Sequence, residues 1–236
     1  MFDPLYLLLV MLPGMVISGL ASWMVRSAFN RYSRVPARSG MTGAQAAQRL
    51  LDRAGIHNVQ IVATQGFLSD HYNPSTKQLA LSQPVFNERS IAAIGVATHE
   101  AGHAIQHAHG YYPLGLRSAI VPLANIGNKL GYLTMTIGLF LIAASPVLGK
   151  WIVAAGAIIF SGMLLFQLVT LPVEFNASAR AKRLVVEAGI VDADERTGID
   201  RVLNAAALTY VAAAISTLLT LVYFLIRSGL LGRRDS

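Results

Sequence analysis

Two histidines four residues apart, with a glutamate directly after the first, stand in the run Thr98-His99-Glu100-Ala101-Gly102-His103. On a helix, His99 and His103 share one face, so both imidazoles can reach a single metal ion. Glu100 beside them can take a proton from a water that such an ion activates. The chemistry this spacing supports is metal-assisted hydrolysis, with one Zn2+ per chain as the expected cofactor. A plainer reading makes the pair two histidines that satisfy polar groups at an interface. That reading gives Glu100 no purpose.

A catalytic zinc usually has three protein ligands and an open position, so a third donor is needed. His107 continues the spacing, but it lies eight residues past His99, about 12 Å along a straight helix. No glycine between His103 and His107 eases a break in that helix. His107 and His109 are therefore expected to be structural, to face substrate or to support a ligand. Glu174, in Leu171-Pro172-Val173-Glu174-Phe175-Asn176, is the better third metal ligand, because two membrane crossings would return the chain to the side that holds His99 and His103. A glutamate at that place can equally mark a membrane interface. A further donor is useful where charge develops on a reacting carbonyl. His71, Tyr72, His107 and Arg180 are the candidate substrate or oxyanion contacts. Asp70 can orient His71 or organise an Asx turn.

The elements that must position these residues are mostly apolar. Of 236 residues, 54% are hydrophobic and 13% charged, against roughly 25% charged in soluble domains. The mean hydropathy is +0.51. Long apolar stretches carry the excess, as membrane-spanning helices require. Cysteine is absent, so any metal must be held by nitrogen and oxygen donors. The net charge of +7 comes from basic residues that flank apolar segments. No nucleic-acid-binding signature accompanies it, and no nucleic acid partner is expected.

Residues 1–25 read as an N-terminal transmembrane anchor. Asp3 precedes the apolar run, and Arg26, Arg31, Arg34 and Arg38 follow it, which places the N-terminus outside and the next segment in the cytoplasm. Residues 26–116 read as a cytoplasmic α/β region. Thr42 and Gln45 form a capping box for a helix running to about Ala54, stopped by Gly55. Residues 59–62 and 78–81 have strand character, and the turn-rich Asp70-His71-Tyr72-Asn73-Pro74 between them suggests a hairpin or short sheet. Ser90 can cap a helix from Ile91 to about His109 that carries the metal-binding box.

Residues 117–171 supply two further transmembrane helices, the first interrupted by Asn125, Asn128 and Lys129. Residues 172–203 form a cytoplasmic helical segment carrying Glu174. Residues 204–236 hold a last transmembrane helix and the basic Arg233-Arg234 tail. Nine Lys or Arg fall in residues 26–117 and five in 172–203, consistent with both lying in the cytoplasm. The basic C-terminus would then lie outside, a modest conflict with that rule. The fold class expected is mainly α transmembrane, with about four membrane helices and a small α/β cytoplasmic domain.

Blocks spread over nearly the whole chain carry a family resemblance. They include Ser39-Gly40-Met41-Thr42-Gly43-Ala44, Leu68-Ser69-Asp70-His71-Tyr72-Asn73-Pro74, Val96-Ala97-Thr98-His99-Glu100-Ala101-Gly102-His103-Ala104-Ile105-Gln106-His107, Leu171-Pro172-Val173-Glu174-Phe175-Asn176-Ala177-Ser178 and Ala207-Leu208-Thr209-Tyr210-Val211-Ala212. In these the sequence resembles the YugP-like membrane zinc metallopeptidases, the neutral zinc metallopeptidase family of bacteria. The metal box and later glutamate are also similar to those of the HtpX and Ste24 membrane peptidases. The resemblance implies a multi-pass protein of the bacterial cytoplasmic (inner) membrane and a gluzincin-like active-site helix. It implies His99, His103 and Glu174 as zinc ligands and Glu100 as general base. Ser178 stands where those peptidases commonly carry aspartate, and Asn73 where the YugP-like pattern often does.

The function expected is a zinc-dependent metalloendopeptidase acting on membrane proteins or peptides near the cytoplasmic face. Its partners would be those substrates, the lipid bilayer and, for its spanning helices, other membrane proteins or a second copy. Two alternatives keep the metal. One hydrolyses a nonpeptide amide or ester; the other is a membrane scaffold whose metal is structural.

Overall fold

The computed structural model describes residues 4–67 and 69–232. Asp3, Leu68 and the Arg233-Arg234 tail lie outside the described residues. The chain divides into two compact units, each assembled from segments distant in sequence. The first takes residues up to 20, Leu116–Leu171 and residues from 209 onward; the second takes Ala21–Gly115 and Pro172–Leu208.

Among the described residues, three helices are long and apolar enough to cross a membrane: α1 (Pro4–Tyr32), α6 (Pro146–Glu187) and α7 (Arg196–Arg227). Near its start α1 opens into a π-helical turn, Leu7–Met11. Pro13 explains it, since a proline ring clashes with the carbonyl four residues back, here that of Leu9. Residues 112–141, expected to hold another crossing, form helix α5, which is interrupted by a π-helical turn at Gly127–Gly131. That turn contains Asn128 and Lys129, the residues that interrupt the apolar pattern.

In the first unit α5 and α6 approach closely along small residues. A Cβ on Gly131 would lie 2.6 Å from the Phe160 backbone nitrogen, and one on Gly156 would lie 2.6 Å from that of Met135. Helices in lipid gain their association from such backbone-to-backbone packing. Met135, Val153, Phe160, Leu221 and Phe224 are buried together around it.

The second unit is built on the expected caps. Thr42 and Gln45 bond each other's backbone N–H at the start of α2 (Gly43–Arg53), and Gly55 follows with φ +70°. The sheet differs from a simple hairpin. Strand β1 (Gln60–Thr64) pairs parallel with β3 (Gln78–Ser82), and β2 (His71–Asn73) pairs antiparallel with the other edge of β3. The segment read as a turn thus supplies an edge strand, and the turn proper follows it. Asn73 Oδ1 accepts from the N–H groups of Ser75 and Thr76, and Lys77 takes a positive φ of 52°.

Short helix α3 (Gln83–Asn87) leads to α4 (Ile91–Ala108). Ser90 Oγ accepts the Ala93 N–H at 3.2 Å and starts α4, and Gly110, φ +61°, follows its end. Leu50, Leu51, Leu79, Leu81, Ile91, Ile94, Ile105, Val185 and Ile199 form one buried core beneath α4. That core fixes one side of α4 and leaves the face bearing His99 and His103 to meet α6.

Candidate metal centre

Helix α4 meets the part of α6 beyond Pro172 at close range. A Cβ on Gly102 would lie 2.8 Å from the Ala177 carbonyl oxygen, so only glycine permits this approach. The contact brings the α4 histidines against Glu174, which is 2% exposed. His99 Nε2 lies 3.2 Å, and His103 Nε2 3.5 Å, from the same oxygen, Glu174 Oε2. The three donor atoms all fall within 4.8 Å of one another.

The two separations from Glu174 match zinc. Bonds of about 2.0–2.1 Å at tetrahedral angles set neighbouring donors roughly 3.3 Å apart. The donor set, two imidazoles and a carboxylate without sulfur, is one that catalytic zinc uses. The residues present therefore fit the ion.

Each imidazole is held from behind. His103 Nδ1–H donates to Gln106 Oε1 at 3.0 Å. Gln106 is fully buried, and its amide nitrogen donates to the Val173 carbonyl at 2.9 Å and to Asn176 Oδ1 at 3.0 Å. With the amide so engaged, its oxygen must face His103. This assigns the proton to Nδ1 and turns Nε2 toward Glu174. On the other imidazole, His99 Nδ1 sits 3.1 Å from Ser178 Oγ. Serine thus supplies His99 with a neutral hydroxyl partner.

The electrostatics follow from this packing. Burial alone would raise the Glu174 carboxyl pKa, but hydrogen bonds and charge from His103 and His99 hold it well below the ordinary carboxylate range. For His103, burial opposes the charged form. Glu174, Glu100 and Gln106 reverse this and raise the imidazole pKa. Glu100 is itself buried, 8% exposed, and its charge is felt at His103.

The remaining candidates separate. Tyr72, on β2, and His107, on the last turn of α4, pair with each other: Tyr72 Oη lies 2.8 Å from His107 Nδ1. Both line a cleft of about 660 Å³ that also takes in Ala104, His57 and Lys77. His107 is not in the donor cluster. His71 is exposed and its Nδ1 turns to the Ser69 carbonyl, 2.9 Å away. Asp70 neither orients it nor makes the turn; its carboxylate accepts the Ser82 N–H at 2.7 Å and the Ser82 hydroxyl. Arg180 donates to Asn176 Oδ1 at 2.7 Å and lies over the Tyr111 ring. Gln106 was not among the residues singled out. Its only signal is a polar side chain three residues after His103, between the metal box and His107.

The family described as "Putative neutral zinc metallopeptidase" matches residues 7–229. A curated relative from Bacillus subtilis (strain 168), "Putative membrane protease YugP", is 44% identical over 209 residues, covering 87% of this chain and 90% of its own. No solved structure matches. The chain belongs to this neutral zinc metallopeptidase family.

Proposed function

From that membership we propose an integral-membrane, zinc-dependent endopeptidase that hydrolyses peptide bonds of membrane proteins or peptides near the cytoplasmic face of a bacterial inner membrane. One observation carries the reading: two imidazoles and a carboxylate converge at zinc-like spacing, with the backs of both imidazoles engaged. Three long apolar helices support the membrane setting, and we read the apolar helix at residues 112–141 as a fourth crossing. In this reading α4 serves as a gluzincin-type active-site helix.

His99, His103 and Glu174 hold the ion, which when bound supplies the Lewis acidity that activates water and polarises a carbonyl. Glu100 is the general base. Its carboxylate takes the proton from the attacking water and passes it to the leaving amine. Gln106 keeps the His103 proton on Nδ1, and Ser178 holds the His99 ring from behind, so that both Nε2 atoms are presented together. The Tyr72–His107 pair and Arg180 offer donors to substrate carbonyls from either side of the α4 terminus. His71 is a weaker contact in this scheme, because its Nδ1 is already engaged by Ser69.

The test is hydrolysis of a broad peptide library by the detergent-purified protein, beside Glu100→Gln with zinc content measured for both. Expected is zinc-dependent cleavage by the natural protein and a loss of at least about 10²-fold in a folded variant that retains zinc. Stoichiometric zinc with no Glu100-dependent cleavage of peptides or membrane proteins would instead point to a nonpeptide hydrolase or a structural metal.

A further inference from the structure

Within the first unit, α1, α5 and α7 leave a half-open cavity of about 580 Å³. This is inside the range of about 300–1,000 Å³ typical of ligand pockets. Its walls are mainly apolar, but three tyrosines (Tyr6, Tyr132 and Tyr223), Thr136 and the guanidinium-bearing Arg227 also line it. Tyr6 meets Tyr223 edge-on at 5.0 Å and Phe224 at 6.0 Å, and Tyr132 meets Phe224 at 5.6 Å.

Aromatic residues and a terminal arginine are ordinary anchors at a membrane interface, where rings face outward into the headgroups. Tyr223 and Phe224 do not: they are 8% and 3% exposed, so both pack inside the unit, while Tyr6 and Tyr132 are half-buried in the cavity wall. Arg227 ends α7, where a cation also suits the helix dipole, and its side chain is part of the cavity wall. The cavity thus has an apolar, aromatic body and, in Arg227, a basic rim, on helices of membrane length. One amphiphile matches both halves: an apolar chain for the body and a phosphate for the guanidinium, which pairs with phosphate in a planar, bidentate manner.

We propose that this cavity is a binding site for one anionic phospholipid, its phosphate on Arg227 and an acyl chain along the Tyr6, Tyr132 and Phe140 rings. The proposal is independent of the peptidase reading, since none of these residues belongs to the metal centre.

Native mass spectrometry of the full-length, delipidated protein tests it, with phosphatidylglycerol and phosphatidylcholine titrated separately. One phosphatidylglycerol per chain is expected to bind in preference to phosphatidylcholine, and Arg227→Gln should weaken it by about fivefold. Thr136→Phe, which fills the cavity while leaving the rim, should lower phosphatidylglycerol binding as well. Glycerol 3-phosphate, a headgroup without chains, should fail to displace the lipid. Equal retention of the two lipids, unchanged affinity in Arg227→Gln with natural thermal stability, or displacement by glycerol 3-phosphate would each overturn the proposal.

Discussion

Gln106 is the hinge of the metal centre's hydrogen bonding. Its amide reaches Val173 and Asn176 on α6 while its oxygen takes the His103 proton. One side chain therefore orients a ligand and ties α4 to α6. Replacing such an outer partner typically costs 10–100-fold in metal affinity. Gln106→Leu is expected to weaken zinc by about that factor, measured by competition with a chromophoric chelator, while circular dichroism shows the helices retained. Of the donor set, His99 and His103 were legible because helical period alone places them on one face. Glu174 was legible only in part, since placement after an apolar run suits a ligand and an interface marker equally. Gln106 was not legible at all. Its role exists only once Val173 and Asn176 face it, and no local pattern announces that meeting.

Among the elements, the helices of the second unit follow their caps, Thr42 for α2 and Ser90 for α4, because capping is a contact within four residues. The sheet did not follow so directly. Strand β2 is three residues long, too short for alternation to register, and turn-forming residues bracket it, Asp70 before it and Asn73-Pro74 at its end. What holds it is not local: the Asp70 carboxylate, one residue before β2, accepts the N–H and hydroxyl of Ser82 at the end of β3. Ser82 is 2% exposed, so Asp70→Ala would leave its donors buried and unmet, at a cost of about 1–3 kcal/mol. Burial nonetheless pushes the Asp70 carboxyl up from its ordinary value, against the lowering effect of Ser82. A raised acid pKa means the folded state holds the proton longer. The associated stability is full below the ordinary aspartate value and is lost as pH rises through the folded one. Asp70→Asn, which keeps an acceptor and no charge, is expected to be tolerated and to abolish that pH dependence in urea titrations.

At the scale of the whole molecule, the apolar composition announced the long helices, and α1, α6 and α7 answer it. The gathering of distant segments into two units was not written in any one stretch, because it depends on which helix faces meet. In the second unit the donor set joins α4 to α6, so a bound ion ties together elements that the chain itself separates. A ligand that binds only the folded state stabilises it by about 2.7 kcal/mol at a hundredfold excess over its dissociation constant. Chelation should accordingly lower the Tm of the purified protein, and added zinc should restore it. Glu174→Ala should remove the zinc-dependent shift, and a Tm indifferent to both chelator and zinc would contradict the His-His-Glu assignment.

The separation of the donors also has a consequence for the order in which the protein is made. Glu174 follows His99 by 75 residues, so at about 5–20 residues per second a ribosome delivers the third donor roughly 4–15 s after the first. Throughout that interval the nascent chain carries His99, Glu100 and His103 without a complete ligand set. Zinc capture then becomes a late event in biogenesis. The donor set is complete only once the helix that begins at Pro146 has been translated past Glu174, when α4 and α6 can close on the ion.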